Sequence, residues 1–400
     1  MRKVWETKKL GELFEITSSK RVFESEWKRE GVPFYRAREI VKLAKQGFVE
    51  NELFISHEMF TRYAALYGIP AEGDIMVTGV GTLGVCYVVK RRDRFYFKDG
   101  NIIWLKKKTE TDSRFVEYAF QSDYLRRQID DSVGATVGTY TIIKAKNTLI
   151  PVPSLAEQQR IVNILDEAFD GIAAAKANAE KNLHNAHALF ESYLQAVFTQ
   201  RGKGWVNRQL GSLCHEITVG HVGAMKTEYK ESGVPFLRSQ NIRPFEVSME
   251  SAIFIDKAFH RALKKSQLRP GDLAIVRTGY PGTAAVIPPE LPDSNCSDLV
   301  IVRPGKEVNP HFLASFFNST FGKQLVLGKV VGAAQKHFNI TAAKEVMLHV
   351  PPMAEQLVII SKLNELREET ERLAGLYERK LAAVDALKKS LLHEAFTGAL

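Results

Sequence analysis

The sequence predicts an α+β protein in which two similar domains are separated by two long helices. A stretch that begins PSLAEQ at Pro153 recurs 198 residues later as PPMAEQ at Pro351, and self-similarity at a fixed period dictates architecture. Both copies continue for about 45 residues with apolar positions at heptad spacing. The region before each copy contains short β-type runs and glycine turns. These observations indicate an internal repeat of the order domain, helix, domain, helix.

The two long helices are predicted to span residues 153–200 and 351–400. Heptads sustained over such a length are typical of a coiled coil, and at about 1.5 Å per residue each helix would measure about 65 Å. An apolar stripe along the full length of a helix requires an equally long packing partner. The obvious partner of each long helix is the other long helix. The alternative is that each helix packs only on its own domain. The stripe residues are Val162, Leu165, Phe169, Ile172, Leu183 and Phe190, followed by Leu363, Leu373, Tyr377, Val384 and Leu391.

The two domains are predicted at residues 1–152 and 201–350, and they share a series of local patterns. GVPFYRAREI at 31–40 matches GVPFLRSQNI at 233–242, each a turn followed by a short strand. GDIMVTGVGTLGVCYVV at 73–89 matches GDLAIVRTGYPGTAAVI at 271–287, each a strand, a glycine-rich turn and a second strand. Each domain is therefore expected to be a small twisted sheet or partial barrel with helices.

Positive charge is concentrated in the two domains. Residues 1–152 carry 26 basic and 20 acidic side chains, and residues 201–350 carry 19 and 12, whereas both long helices are slightly acidic. Such a distribution suits two lobes that bind a polyanion, on a spacer that does not. By itself this charge is weak evidence, because many proteins without a nucleic-acid function have it.

The sequence also favours a cytoplasmic location. Its N-terminus lacks an apolar signal core, and no apolar run approaches the roughly 18 residues that cross a membrane. Cys86, Cys214 and Cys296 have neither disulfide nor zinc-site spacing, which suits a reducing compartment.

A dinucleotide-type fingerprint in the first domain is not expected to bind a cofactor. Gly79, Gly81 and Gly84 spell G-x-G-x-x-G after a strand-like run, but that motif must open a helix. The residues that follow, VCYVV, are typical of a strand. We therefore expect a tight hairpin, whose loop either contacts phosphate or base, or is simply a turn.

Recognisable catalytic and metal-binding motifs are missing from the sequence. There is no phosphate-binding G-x-x-x-x-G-K-[ST], no HExxH and no adenosylmethionine-type glycine loop. His184 and His187 share a helix face without a nearby third ligand, so they are expected to be solvated or packing residues. We expect no catalytic residue, metal or cofactor in this chain, although an enzyme with an unfamiliar site remains an alternative.

Polar side chains lie at matched loop positions of the two domains and are candidates for DNA contact. Arginine, asparagine and glutamine read purine edges in the major groove, while the alternative for any one position is an ordinary solvated loop. The framework residues recur in both domains, but the residues at these polar positions differ. This is expected of two domains that recognise different DNA sequences. The candidates are Arg36, Arg38, Thr78, Thr82, Thr136, Thr139 and Tyr140, then Arg238, Ser239, Gln240, Asn241, Arg277, Thr278, Tyr280, Gln335, Lys336 and His337.

The whole chain resembles the DNA specificity subunit of type I restriction–modification systems. The resemblance rests on the duplicated P-x-x-x-E-Q helix openings, the two GD-strand-glycine hairpins and the order of segments. It implies two target-recognition domains, each reading half of a bipartite asymmetric DNA site, and two antiparallel spacer helices that relate the domains by a pseudo-two-fold axis. It also implies a non-catalytic role beside two methyltransferase subunits, which bring S-adenosylmethionine, and, in complexes that restrict, two restriction/translocase subunits. A stand-alone bipartite DNA-binding regulator is the alternative.

Overall fold

The computed structural model describes residues 5–130, 138–200, 202–328 and 338–400. The chain forms two compact units, of which unit 1 comprises Met1–Ala179 with Arg379–Leu400, and unit 2 comprises Glu180–Glu378. Each unit thus contains one predicted domain, the first part of the long helix that follows it, and the last part of the other long helix.

Unit 1 combines short strands with short helices, as the glycine-punctuated sequence predicts. Its strands are β1 (Glu6–Lys9), β2 (Phe14–Thr17), β3 (Val32–Tyr35), β4 (Phe54–Ile55), β5 (Ile75–Thr78), β6 (Cys86–Val88), β7 (Tyr96–Phe97), β8 (Ile102–Lys107) and β9 (Leu149–Val152). Its helices are α1 (Leu10–Leu13), α2 (Ala37–Gln46), α3 (His57–Tyr67), α4 (Ser113–Gln121), α5 (Asp123–Asp130) and α6 (Ile142–Asn147), before the long α7 (Leu155–Thr199).

The central sheet of unit 1 is antiparallel, with strand order β2-β8-β5-β6. Ile75 of β5 lies opposite Leu105 of β8, and both are fully buried because β5 and β8 occupy the middle of the sheet. A second sheet has the order β4-β3-β7, in which β3 and β7 are parallel. The β1–β9 ribbon joins the start of the domain to the strand that leads into α7. The β5–β6 hairpin therefore lies at one edge of the central sheet.

Unit 2 repeats this plan. Its strands are β10 (Val206–Gln209), β11 (Cys214–Val219), β12 (Val234–Leu237), β13 (Ile242–Arg243), β14 (Glu246–Val247), β15 (Ile253–Ile255), β16 (Gln267–Leu268), β17 (Leu273–Val276), β18 (Ala284–Val286), β19 (Ser294–Cys296), β20 (Leu299–Pro304) and β21 (Met347–Val350). Its helices are α8 (Leu210–Leu213), α9 (Lys257–Ala262), α10 (Pro310–Asn318), α11 (Thr320–Gly328) and α12 (Ile340–Lys344), before the long α13 (Met353–Thr397).

The central sheet of unit 2 has the order β11-β20-β17-β18, which is the same arrangement as in unit 1. The second sheet again contains one parallel pair, β12 with β19, within the order β15-β12-β19-β16. A small β13–β14 ribbon stands where unit 1 has the helix α2. The two units therefore share their central sheet and hairpin but differ beside them.

The predicted long helices are confirmed, with ends within three residues of the expected bounds. Within unit 1 they run antiparallel, because Arg160 donates to the carbonyl of Leu400 at 2.8 Å while Lys176 pairs with Asp385 at 3.0 Å. Every stripe residue is buried or half-buried, which fits a helix that packs along one face. Each helix begins on its own domain and ends on the other one.

Repeated phenylalanines attach the end of each long helix to a domain. Phe396 of α13 packs on Phe115 in unit 1, with ring centroids 5.0 Å apart. Phe198 of α7 occupies the matching position in unit 2, 5.3 Å from Phe312. Phe198 and Phe396 are 5% and 3% exposed, so each contributes about 1.5–3 kcal/mol of hydrophobic stabilisation. The phenylalanine near the end of each long helix therefore fixes that helix to a domain.

The glutamine of the P-x-x-x-E-Q motif joins each helix start to its domain. In unit 1 the Gln158 amide donates to the carbonyl of Pro153, while its carbonyl accepts from the backbone N–H of Asp112, the N-cap of α4. In unit 2 Gln356 makes the same pair of bonds with Pro351 and Asn309, the N-cap of α10. Both glutamines are buried. The motif is thus explained by the joint between helix and domain.

These observations confirm the predicted α+β class with small sheets, helices and two long helices. No helix in the described part of the chain combines the length and the apolar character that a membrane crossing needs.

Candidate nucleic-acid interface

The candidate site of each unit is built around the glycine hairpin of the central sheet. The hairpin joins β5 to β6 in unit 1 and β17 to β18 in unit 2. In unit 1 the N–H of Tyr140 donates to the carbonyl of Gly79 at 3.0 Å, and in unit 2 the N–H of Phe338 donates to that of Arg277 at 3.2 Å. Both aromatic rings are buried. The two hairpins thus have the same backbone hydrogen bond but carry different side chains.

The unit 1 hairpin confirms that the G-x-G-x-x-G sequence forms a turn between strands. Gly81 and Gly84 have φ of +70° and +68°, which L side chains rarely adopt. A Cβ on Gly84 would also lie 2.8 Å from the Cδ1 of Ile129, so the turn packs closely on α5. The Thr78 hydroxyl donates to the carbonyl of Thr82 inside this turn. The backbone conformation and the close packing of the turn therefore require glycine at Gly84.

The candidate residues of this hairpin divide into buried and exposed ones. Thr78 and Tyr140 are buried, so their side chains hold the loop instead of facing solvent. The Tyr140 hydroxyl bonds to that of Thr148 at 2.8 Å, and burial raises the pKa of Tyr140 to about 12. Thr82 and Thr139 are exposed. Both side chains are available to a ligand.

The two candidate arginines of unit 1 form a charge network at the start of α2. Arg36 donates to Glu39 at 2.9 Å, and Arg38 donates to the same carboxylate and to that of Glu52. Burial alone would raise the pKa of Glu39, but these hydrogen bonds outweigh it and hold the pKa below its ordinary value. The carboxylates therefore partly neutralise both arginines.

The matching position in unit 2 has no such carboxylate. Asn241 stands where unit 1 has Glu39; its side chain is buried, and its amide donates to the carbonyls of Ser248 and Glu250. Arg238 donates to the carbonyl of Ser251 at 3.3 Å, and its Nε is buried without a hydrogen-bond partner among the described residues. Asn241 therefore supports the loop, and the Arg238 charge is less neutralised than that of Arg36.

Asp298 connects the remaining candidate segments of unit 2. Its carboxylate accepts a hydrogen bond from Ser239 at 3.0 Å and another from Thr278 at 2.8 Å. The aspartate thereby holds the 239–241 turn against the hairpin. Gln240 is exposed beside it, and Tyr280 at the hairpin tip is 84% exposed. Among the unit 2 candidates that the structure describes, these two side chains are the most accessible.

An open groove of about 730 Å³ lies beside the unit 2 hairpin. Its walls combine apolar surface with two cations, a mixture suited to a base and its phosphate. The lining includes Gln240, Arg243, Pro244, Tyr280, Lys323 and Leu327.

Four candidates, Thr136, Gln335, Lys336 and His337, lie outside the described residues. His184 and His187 are both exposed on α7. Over the described ranges, no group of three or more His, Cys, Asp or Glu side chains could hold a metal ion.

Several residues of the site were not found by sequence reasoning. Glu39 and Asp298 organise the candidate loops, and Lys323 with Leu327 lines the groove from α11. The change from Glu39 to Asn241 between the repeats was a readable signal of different electrostatics. For Asp298 and Lys323 no local pattern existed, because they reach the site through tertiary contacts.

Comparisons with known proteins agree with this architecture. A family model, the type I restriction modification DNA specificity domain, matches residues 2–183. A putative type I restriction enzyme specificity subunit of Haemophilus influenzae is 30% identical over 161 residues, 40% of this chain and 38% of that protein. The EcoKI specificity subunit of Escherichia coli is 24% identical over 314 residues, 72% of this chain and 66% of the relative. Residues 2–183 thus match this family, and the relatives that the chain resembles are specificity subunits of type I restriction enzymes.

The chain spans less than two thirds of the length of the two relatives above. Solved structures show the same fold over a longer extent. A chain from a study of complex assembly and conformational transition of the type I R-M system has a TM-score of 0.78 at 19% identity, covering 100% of both chains. The HsdS subunit from Thermoanaerobacter tengcongensis has a TM-score of 0.64 at 18% identity, covering 99% of this chain and 97% of that one.

Proposed function

We propose that this chain is the non-catalytic, sequence-specific DNA-binding subunit of a type I restriction–modification complex. Residues 1–152 and 201–350 act as target-recognition domains, each reading one half of a bipartite asymmetric site. Residues 153–200 and 351–400 act as spacer helices that set the distance between the halves. The cytoplasmic location expected from the sequence stays a prediction.

The observation that carries the proposal is one hairpin scaffold with different exposed side chains. Thr82 and Tyr280 occupy the same position on the two hairpins, and Arg38 and Gln240 occupy matching positions beside them. Shared backbone positions with different polar and aromatic groups are what two readers of unlike half-sites require, because base edges are distinguished by donor and acceptor patterns.

Phosphate contacts and base contacts have separate roles in this proposal. The excess of lysine and arginine in both domains favours binding to any duplex, and it carries no sequence information. Exposed loop residues then select the bases. Chemistry on adenine requires the base to leave the stack, and the pocket for it would lie in a methyltransferase partner.

The proposed partners are double-stranded DNA, two methyltransferase subunits that supply S-adenosylmethionine and, in complexes that restrict, two restriction/translocase subunits. The decisive experiment expresses the chain with its genomic methyltransferase partner and maps adenine methylation across the host genome. We expect one motif with two specific parts and a non-specific gap. Methylation without a bipartite motif would contradict the proposal.

A stand-alone DNA-binding regulator is separated from this function by co-purification. We expect tagged chain to retain the methyltransferase subunits through gel filtration. Specific DNA binding by a chain that never retains them would favour the regulator.

DNA binding itself is tested by varying the salt concentration. The logarithm of the affinity should fall linearly with the logarithm of the salt concentration, with a slope of about −0.9 per phosphate neutralised. Affinity that stays flat between low and physiological salt would contradict a nucleic-acid function.

A further inference from the structure

Tyr280 is presented to solvent by a hydrogen-bonded turn. Gly279 has φ of +85° on one side of it, and Pro281 restricts the backbone on the other. Within the turn, the N–H of Gly282 donates to the carbonyl of Val276 at 3.1 Å, and Thr278 is bound to Asp298. A large ring that is 84% exposed on such a turn gains little from folding. Its position therefore points to a ligand that covers the ring.

The groove beside Tyr280 has a size and chemistry that suit one nucleotide. Its volume of about 730 Å³ lies within the range of about 300–1,000 Å³ that small-ligand sites occupy. Ile242, Pro244 and Leu327 supply apolar surface, and Leu327 is 55% exposed. A flat heteroaromatic base can stack on such surfaces, whatever its identity.

Cations at the same groove fit the phosphate of that nucleotide. Lys323 projects from α11 into the lining and makes no ion pair among the residues that the structure describes. Arg243 also lines the groove and pairs with Glu250. Residues 201–350 carry 19 basic and 12 acidic side chains, so the surrounding charge also favours a polyanion.

Unit 1 does not offer the same arrangement. Thr82 takes the place of Tyr280, and the adjacent Leu83 is half-buried against the core. The carbonyl of Leu83 accepts a hydrogen bond from Arg126 at 2.6 Å, which fixes that hairpin tip to α5. A stacking ring is therefore a property of the unit 2 hairpin at this position.

We propose that Tyr280 stacks on one unstacked base of the half-site bound by unit 2, while Lys323 contacts the phosphate of the same nucleotide. This inference rests on the proposed function and adds a specific distortion of the DNA to it. Holding a base out of the stack costs free energy, and the cost is least where the base pair is already mismatched. One half-site should therefore contain a position at which a mismatch improves binding.

The test begins with the intact chain and a pool of random duplexes, from which bound sequences are recovered to define the site. Each base of the unit 2 half-site is then removed in turn to leave an abasic nucleotide. For the wild type we expect about a tenfold loss of affinity at the base that stacks on Tyr280, beside the losses at bases that are read through hydrogen bonds. Tyr280→Ala should lose about tenfold on the intact duplex and nothing further at that abasic position.

Three variants complete the design. Tyr280→Phe keeps the ring and should behave as wild type, whereas Thr82→Ala in unit 1 should leave the abasic profile of the unit 2 half-site unchanged. Lys323→Gln should reduce the slope of log affinity against log salt by about 0.9. A mismatch at the sensitive position should tighten wild-type binding severalfold and leave Tyr280→Ala binding unchanged.

The outcomes separate this inference from the proposed function. If no duplex sequence is enriched, both fail together. If the wild type selects a bipartite site but Tyr280→Ala binds it equally well, the stacking inference alone is overturned. The same holds if Tyr280→Ala loses affinity but no mismatch improves wild-type binding, because Tyr280 then contacts a base that remains stacked. Equal melting temperatures of wild type and Tyr280→Ala would exclude misfolding as the cause.

Discussion

At the scale of single residues, equivalent arginines of the two units have different electrostatic partners. Arg36 and Arg38 share the Glu39 carboxylate, whereas Arg238 lies beside the neutral Asn241. Buried carboxylates remain charged only when they are paired and hydrogen-bonded, so the Glu39 network is part of the folded structure of unit 1. In unit 2 the side-chain carbonyl of Asn241 accepts the equivalent hydrogen bond from the backbone N–H of Arg238, but it carries no negative charge.

Replacing Glu39 by glutamine should reduce the stability of unit 1 in a pH-dependent way. The folded protein lowers the pKa of Glu39 from its ordinary value of 4.5. Its contribution is therefore present above about pH 4.5 and is lost as the pH falls through the lowered value. We expect Glu39→Gln to cost about 1–3 kcal/mol in the free energy of unfolding at pH 7, and less in acid. Urea unfolding between pH 3 and pH 7 measures both.

Glu50→Gln is the matched control, since Glu50 is exposed and makes no ion pair among the described residues. It should change the unfolding free energy by less than about 0.5 kcal/mol. A Glu39→Gln penalty that is the same at every pH would mean that the network stabilises unit 1 by shape and not by charge.

Gln240 is an exposed polar candidate of unit 2 within the described residues, and it is available for direct readout. A glutamine amide can bind adenine through two hydrogen bonds, so Gln240→Ala should cost about 1–3 kcal/mol of binding and relax one base position. Sequencing of duplexes bound by the intact chain measures this. Asn241→Ala should instead lower stability, because Asn241 is buried. Equal weakening of all sequences by Gln240→Ala would identify a phosphate contact, and relaxation of both half-sites would contradict one domain per half.

At the scale of secondary-structure elements, the joint between each long helix and its domain is the feature that repeats most closely. Gln356 donates to the carbonyls of Pro351 and Glu307 and accepts from the N–H of Asn309. Gln158 makes two of these three bonds in unit 1. Buried backbone N–H and carbonyl groups need hydrogen-bond partners. Each glutamine side chain supplies those partners at a place that water does not reach.

Removing this joint should destabilise each unit without changing the bases that it selects. Gln356→Ala leaves buried backbone groups unpaired and should lower the free energy of unfolding by about 1–3 kcal/mol. Gln158→Ala should lower it somewhat less, because Gln158 makes two of the three hydrogen bonds. Gln159→Ala, at an exposed neighbouring position, should change little. Denaturant unfolding followed by circular dichroism measures the three variants. Unchanged stability of both glutamine variants would show that the motif has another role.

At the scale of the whole molecule, α7 and α13 each pass from one unit into the other. Matched insertions at the two crossing points would lengthen both helices and leave the contacts within each unit intact. One insertion goes between Ala179 and Glu180, and the other between Glu378 and Arg379. The Lys176–Asp385 ion pair of unit 1 lies outside the lengthened segment.

Four helix-forming residues at each point should widen the gap in the recognised site. The insertion adds about 6 Å and overshoots one turn by about 40°. Because DNA advances about 34–36 Å over 10–10.5 base pairs, we expect the gap to grow by one or two base pairs. Methylation mapping of the variant complex measures it, with the half-site sequences unchanged. An active variant with the original gap would mean that the helices do not set the spacing.

Sequence alone was sufficient for the features that depend on near neighbours along the chain. The helix from Leu155 to Thr199 was predicted because its apolar stripe is a local periodicity, and the turn at Gly81 because a β-type run follows it. The repeat was visible because both copies keep the residues that form the joints, such as Gln158 and Gln356.

Tertiary structure decided which polar candidates face solvent. Thr78, Tyr140 and Asn241 are polar residues that look like exposed loop residues in the sequence, yet their side chains are buried. Their environments are set by groups that are distant in sequence, as when Asp298 binds Ser239 from 59 positions away. A local pattern specifies the direction of the backbone, but hydrogen-bond partners and burial depend on which segments the fold brings together. For that reason the exposed ring of Tyr280 and the groove beside it emerged only from the structure.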